Sequence, residues 1–372
     1  MPNGVDEITG ELQNRAPDLL ILLQGRDSTA RLLEELPSRF PLGDLVAPDG
    51  AQRTWELLGL YHLNVGRIHE ALALFWRLYE QLLLAQEDAG RIHKGMPLVW
   101  ISECYARLGC QVHAKRYLML TLCEDALRGQ GAVSPDESGI YFRLVWGRGL
   151  SEQELQRYVQ QFAELAQASP RDSLFPEALL QQVDQGWLTE LPSPQEAAVY
   201  VINRAWALSL LARLGDRSGK TLELLAEYLL SCMPGCRTKR RERSGSTDYD
   251  IVCSMEGFDV DFRSELGRYF VCECKDWDEP ADFTTMAKLC RVLDSTKARF
   301  GILFSRQGIS GAGRSTNAER EQLKVFQDRA IVIVVINSED LDAVANGANL
   351  IRLLRQRYEA VRLDIRGAGS AG

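Results

Sequence analysis

Apolar side chains recur at three- and four-residue intervals from about residue 17 to residue 215, and glycine, proline or Ser-Pro marks the turns between them. This spacing places the apolar residues on one face of each helix. The first part of the chain is therefore predicted to be all-helical. Beyond the segment around residues 55–127, separate helices are predicted at 151–168, 174–185 and 194–214.

The hydrophobic pattern changes after the turn 215-GDRSGK-220, where short apolar runs typical of strands alternate with helical segments. The order α-β-β-β-α-β-α-β-α predicts an α/β domain at 216–372, after an all-helical domain at 17–215. The predicted helices are 219–232, 281–296, 315–328 and 339–358. The predicted strands are 236–242, 249–256, 267–275, 300–305 and 330–336.

Two neighbouring segments of the helical part share a pattern of large and small residues. The first segment carries Trp55, Leu58, Gly59, Gly66, Ala71 and Phe75, and the second carries Tyr105, Leu108, Gly109 and Ala114. The pattern resembles the tetratricopeptide repeat, in which small residues let paired helices approach closely. The two glycines are farther apart than in that family, which would make 84–97 an insertion. A generic helical bundle remains the alternative.

Composition limits the class of protein. The 372-residue chain has a formal net charge of -8 and nine cysteines. The acidic excess lies in the helical part, which disfavours non-specific binding of nucleic acid there. The N-terminus lacks the pattern of a secretory signal and no apolar run is long enough to cross a bilayer, so a cytoplasmic protein without membrane contact is expected. The odd number of scattered cysteines predicts reduced core residues rather than disulfides.

The stretch 269-YFVCECKDW-277 begins as a buried strand and then carries charged residues. Alternate residues of a strand share a face, so Glu273 and Lys275 are predicted to point the same way. The preceding strand carries Asp250 and is predicted to run antiparallel beside this one. Two carboxylates and one lysine would then converge at the end of the strand.

Carboxylate oxygens are ligands that Mg²⁺ prefers, and this ion needs only one or two of them besides water and substrate phosphate. A nearby lysine can orient the attacking water and offset charge on the phosphate. The three residues therefore indicate metal-assisted hydrolysis of a phosphodiester, with Mg²⁺ or Mn²⁺ as the cofactor.

Residues 219–310 resemble the restriction-endonuclease-like PD-(D/E)XK nuclease superfamily, nearest its Mrr-type branch. The resemblance rests on the helix GKTLELLAEYLL, the strand start YDI and the motif ECK, with Tyr249 in place of the family's proline. It implies a restriction-endonuclease-like α-β-β-β-α-β fold and a Mg²⁺-dependent endonuclease. Defence against foreign DNA is an association that the resemblance suggests, and DNA is favoured over RNA.

The resemblance also implies roles for single residues. Asp250 and Glu273 would be metal ligands, and Lys275 would be the catalytic lysine. Glu223 would be the carboxylate of the first helix; Glu227, one turn later on the same face, remains an alternative to it.

A basic run, 237-RTKRRER-243, precedes the strand that carries Asp250. Such runs are usually solvated, but this position also suits contact with nucleic-acid phosphates. The candidate phosphate-binding residues are Arg237, Lys239, Arg240, Arg241 and Arg243.

Two classes of function follow from these patterns. The first is a nuclease whose helical part, 17–215, binds a protein partner or a second copy of the chain, so that a homo-oligomer is expected. The second is a tetratricopeptide-like adaptor whose nuclease-like domain binds nucleic acid or supports assembly without cleaving. No histidine follows residue 113, which excludes Ser-His-Asp and Cys-His catalysis within the α/β domain.

Overall fold

A computed structural model of the chain divides into two compact units, Met1–Asp184 and Gln185–Gly372. It describes residues 55–56, 58–59, 62–63, 66–84, 92–128, 151–168, 175–183, 194–215, 218–241, 249–255, 266–310 and 318–363. No helix among these residues is long and apolar enough to span a membrane.

The described part of the first unit is helical, as predicted. Its named helices are α1 (Ile68–Leu84), α2 (Gly95–Arg107), α3 (Gln111–Leu127), α4 (Glu152–Ala168) and α5 (Pro176–Leu180). The middle helix α3 packs against α2, α4 and α5, and α2 also packs against α1. The last helix is shorter than the predicted 174–185.

The glycines of the repeat-like pattern lie where the backbone requires them. Gly66 and Gly109 have φ angles of 82° and 78°, a left-handed conformation that glycine adopts without steric cost. A Cβ atom added to Gly59 would lie 2.5 Å from the ring of the buried Phe75. The helical segments therefore approach closely at Gly59, as the small-residue pattern predicts.

The second unit combines helices with one five-stranded sheet. Its helices are α6 (Pro194–Ala197), α7 (Arg204–Leu211), α8 (Lys220–Ser231), α9 (Phe283–Thr296), α10 (Ala318–Arg329), α11 (Ser338–Ala345) and α12 (Leu350–Arg362). Its strands are β1 (Cys236–Arg240), β2 (Ile251–Met255), β3 (Tyr269–Lys275), β4 (Phe300–Ser305) and β5 (Val332–Ile336). The strands lie in sequence order; β1, β2 and β3 are antiparallel, and β3, β4 and β5 are parallel.

Two predicted helices are wrong as single elements. The segment 194–214 forms the separate helices α6 and α7, and 339–358 forms α11 and α12. The second break contains Gly347, whose φ of 110° no helix tolerates, and the side chain of Asn349 caps α12. Both signals for this break are present in the sequence.

The helices α6 and α7 lie in the second unit, so the compact units divide earlier than the predicted domain boundary at 215/216. The packing of α7 gives the reason. Trp206 of α7 meets Tyr228 of α8 edge to face with ring centroids 6.5 Å apart. The Tyr228 hydroxyl also accepts a hydrogen bond from the backbone N–H of Asn203 at 2.6 Å.

Helices cover both faces of the sheet. On one face, Val271, Leu303 and Ile333 pack with apolar residues of α9 and α10. On the other face, Phe270 and Phe300 are buried, and Phe300 contacts Tyr358 of α12. All nine cysteines are among the described residues, and all are buried and free of disulfides, as predicted.

Candidate active site

The register of β2 and β3 places Asp250 beside Glu273. Ile251 lies opposite Cys272, so one step further along the antiparallel pair Asp250 lies opposite Glu273. Oppositely placed residues of such a pair project from the same face. The Oδ2 atom of Asp250 accepts a hydrogen bond from the backbone N–H of Cys274 at 2.8 Å, which fixes the carboxylate against β3.

Glu273 is a buried carboxylate with two lysines on one of its oxygens. Glu273 is only 4% exposed. The Nζ atom of Lys275 lies 2.7 Å from Oε1, and the Nζ atom of Lys288, from α9, lies 3.1 Å from the same oxygen. Lys288 was not predicted as a site residue; its only signal is the position of α9 directly after β3, on the sheet face that Glu273 shares.

The surroundings of Asp250 and Glu273 disfavour a negative charge on both carboxyl groups at once. Burial and the neighbouring charge of Glu273 raise the pKa of Asp250, against the opposing effects of the Cys274 N–H and of Lys275. Within the described residues, the contacts of the pair go to Oδ2 of Asp250 and Oε1 of Glu273. The other oxygens, Oδ1 and Oε2, remain for a cation, which would relieve the repulsion.

Helix α8 supplies two buried glutamates, and both are paired with arginines of the basic run. Glu223 makes a two-pronged contact with Arg241, with distances of 2.6 and 3.1 Å from its oxygens to the guanidinium. Glu227 lies 3.2 Å from Arg240. Of the two glutamates, Glu223 contributes to the raised pKa of Asp250, which places its charge near the carboxylate pair.

Two arginines of the basic run are therefore bound by α8. Arg240 and Arg241 bind the glutamates of α8, while Lys239 is exposed and Arg237 is half-buried. The backbone N–H of Arg241 donates to the carbonyl of Asp250 at 2.8 Å, which joins the run directly to the site. Arg243 lies outside the described residues.

An exposed aromatic residue follows the strand end. Trp277 is 49% exposed, and the Nζ atom of Lys275 lies 5.2 Å from the centre of its ring. Between them, Asp276 is buried and held by the backbone N–H of Gly215 at 2.8 Å and by Arg306 at 2.9 Å. These contacts of Asp276 fix the chain between Lys275 and Trp277. The exposed indole of Trp277, next to a charged site, suits stacking on a base.

The predicted site residues do not form a larger metal cluster. Among the described residues, no group of three or more His, Cys, Asp or Glu side chains is arranged to hold a metal ion. The geometry instead offers two carboxylates, which is the number Mg²⁺ commonly uses when water and phosphate supply its other ligands. Glu223 is engaged by Arg241 and is not one of this pair.

Comparisons with known proteins supply no further assignment: no protein-family model, curated protein or solved structure matches the chain.

Proposed function

We propose that the chain is a metal-dependent nuclease that hydrolyses phosphodiester bonds of nucleic acid, with DNA favoured. The observation that carries the proposal is the buried Glu273, 2.7 Å from the Nζ atom of Lys275 and close enough to Asp250 to raise its pKa. A structural ion pair needs one carboxylate, and the second one raises the electrostatic cost of the site. That cost is explained when the pair serves a cation.

The residues present fit a divalent cation. Asp250 and Glu273 would hold Mg²⁺ or Mn²⁺ through their remaining oxygens, and the bound ion would polarise the phosphoryl group and acidify a water. Lys275 would orient the attacking water and offset charge on the phosphate. Lys288, on the same oxygen of Glu273, would supply a second positive charge beside the pair.

The resemblance to the PD-(D/E)XK superfamily supports the same function. The mixed sheet keeps the predicted order of one helix, three antiparallel strands, a helix and a parallel strand from α8 to β4. This order accompanies the ECK motif and the aspartate of YDI. The Mrr-type likeness and a role in defence against foreign DNA remain part of the proposal.

The helical unit is proposed to bind a protein partner or a second copy of the chain. Its close helix approach at Gly59 and Phe75 supports the tetratricopeptide-like interpretation. Stacked helical repeats present extended surfaces that bind peptides and proteins. The acidic excess of the first part of the chain makes nucleic acid an unfavourable ligand for it.

Incubation of the purified full chain with plasmid, linear DNA and RNA tests the proposal. We expect cleavage of DNA that requires Mg²⁺ or Mn²⁺ and stops in excess chelator. A matched Glu273→Gln variant keeps the shape of the side chain and should be inactive. Binding of DNA without cleavage under all metal conditions would instead support the adaptor function.

A further inference from the structure

A second candidate binding site lies at the opposite end of β3 from the carboxylate pair. A groove of 610 Å³ opens where β3 and β4 begin, next to the ends of α9, α10 and α12. The seven residues of β3 separate the groove from Lys275 by about 20 Å. The groove is therefore distinct from the proposed active site.

The groove is basic. Four of its lining residues, Arg268, Lys297, Arg299 and Arg362, are cationic, and none of the described lining residues is acidic. Among the described ion pairs, none is made by Arg268, Lys297 or Arg299. Like charges brought together are unfavourable, and an anionic ligand would reduce that cost.

Helix ends explain only part of this charge. Lys297 follows α9 and Arg362 ends α12, so each complements the negative end of a helix dipole. Arg268 and Arg299 instead stand directly before β3 and β4, and both are exposed. These two arginines do not lie at a helix end, and they are the lining residues on which the proposal rests.

Aromatic side chains accompany the cations. Tyr269 is 53% exposed, with the guanidinium of Arg268 over its ring at 5.5 Å. Phe326 and Tyr358 also line the groove. Cations beside an exposed ring suit a ligand that carries both phosphate and an aromatic base.

The backbone around the groove is held in uncommon conformations. Lys297 and Ala330 have φ angles of 60° and 54°, in the left-handed region that residues with a Cβ rarely adopt. Backbone hydrogen bonds fix the segments that follow α9 and α10. The N–H of Ala330 donates to the carbonyl of Phe326 at 2.8 Å, and the N–H of Val332 donates to the carbonyl of Arg299 at 2.9 Å. Lys297 is the C-cap of α9 and Ala330 directly follows α10, and a left-handed residue commonly ends a helix. These two helix ends form part of the groove wall.

We propose that this groove binds a single nucleotide, with its phosphates on Arg268 and Arg299 and its base against Tyr269. The volume lies within the range of small-molecule pockets, whereas a strand-binding surface runs over several nucleotides. The site is independent of the nuclease proposal, because its residues belong to the opposite end of the strands.

The test is fluorescence anisotropy of an N-methylanthraniloyl-labelled ATP with the full chain in EDTA, which removes any contribution from a metal at Asp250 and Glu273. We expect saturable binding that the double variant Arg268→Glu, Arg299→Glu weakens by at least about tenfold, since two charge-assisted hydrogen bonds are removed. Lysine at the same two positions should restore part of the affinity. Unlabelled ATP should displace the probe.

Two control variants separate this proposal from the nuclease proposal. Arg352→Glu, at an exposed position of α12, should bind the probe as the wild type does. Glu273→Gln should also bind it normally. Circular-dichroism spectra like that of the wild type, with cooperative melting, would show that the variants are folded.

Three results would overturn the proposal. The first is no saturable binding at millimolar probe, and the second is equal affinity in the double glutamate variant. The third is tighter binding of a single-stranded oligonucleotide of about 12 nucleotides that is abolished in the same variant, which would make the groove a surface for a strand.

Discussion

Two clusters of buried charge, one in each unit, differ in how their charges are balanced. In the helical unit, Lys94 and Glu124 are both 0% exposed, and Nζ lies 3.0 Å from Oε1. Arg128 adds a second cation at 3.0 Å from the same oxygen, and the Lys94 backbone N–H donates to it at 2.9 Å. The Lys94 Nζ atom also donates to the carbonyl of Ile92 at 2.8 Å.

In the second unit two carboxylates share the cations: Lys275 and Lys288 both lie on Oε1 of Glu273, and the printed hydrogen bond to Asp250 comes from a backbone N–H. Asp250 faces Glu273, and burial together with this neighbour raises the pKa of Asp250. The cluster around Glu124 surrounds one carboxylate with cations, while the cluster around Glu273 brings a second carboxylate to the first. The first cluster therefore serves the fold, and we infer that the second is built for an external cation.

The largest difference should appear in catalysis. Glu273→Gln and Lys275→Ala should each lower cleavage at least about 100-fold, because the cation site or the positioned water is lost and several kcal/mol of transition-state stabilisation go with it. Single-turnover cleavage of a labelled duplex measures the effect. Glu124→Gln, measured below the temperature at which it unfolds, is the matched control and should cleave normally. Substantial activity in Lys275→Ala would remove the proposed role of this lysine.

The second effect concerns stability, for which the variant of the helical unit should be the more damaging one. Glu124→Gln leaves Lys94 and Arg128 buried without their counter-charge, so the free energy of unfolding of the helical unit should fall by about 3 to 5 kcal/mol. Urea denaturation followed by circular dichroism measures the loss. Glu273→Gln should lower stability far less, because the lysines that it leaves unpaired are partly solvated and the repulsion with Asp250 is removed. Equal losses in the two variants would contradict the distinction between the clusters.

The pH dependence sharpens the contrast. The folded-state pKa of Asp250 lies above its ordinary value of 3.8, so the folded protein binds this proton more tightly than the unfolded chain does. Stability is therefore lost as the pH rises from 3.8 through the raised pKa. Asp250→Asn should remove this loss and unfold at a higher temperature than the wild type at neutral pH without metal.

Saturating Mg²⁺ should reverse that order, because the ion stabilises only the wild-type carboxylate pair. Thermal melting between pH 4 and pH 7.5, with and without Mg²⁺, provides the comparison. If the melting temperatures of the two proteins depended on pH in the same way, the raised pKa of Asp250 would not be the cause of the loss of stability.

The smallest effect concerns the arginines beside the pair. The double variant Arg240→Ala, Arg241→Ala should weaken nucleic-acid binding about equally across sequences and lower the salt slope by about 0.9 for each phosphate that the variant no longer neutralises. Its cost in stability per pair should stay below that of Glu124→Gln, because both guanidinium groups are partly solvated, although Glu223 and Glu227 are buried. Arg352→Ala is the control. An unchanged slope would assign both arginines to their pairs with Glu223 and Glu227 alone.

The strand pattern predicted the central part of the candidate site. Alternation along β3 placed Glu273 and Lys275 on one face, and an antiparallel neighbour sufficed to bring Asp250 opposite Glu273. These relations depend on the period of a strand and on the pairing of adjacent segments. Both are local properties that a sequence carries.

The rest of the site depends on contacts between distant segments. Lys288 reaches Glu273 only because α9 packs on the same face of the sheet. Arg241, which contacts Glu223, has a positive φ angle of 56°. The division of the units depends likewise on the contact of Trp206 with Tyr228. Periodicity within one segment contains no information on which other segment it meets.

Calorimetric titration of the full chain with Mg²⁺ and Mn²⁺ tests most directly whether the carboxylate pair is a cation site. We predict one saturable site in the wild-type protein that is abolished in both Asp250→Asn and Glu273→Gln. The same site should persist in Glu223→Gln, because Arg241 holds that glutamate outside the pair. Equal binding by the wild type and the two carboxylate variants, or no binding by any of them at millimolar metal, would show that the carboxylate pair is not a cation site.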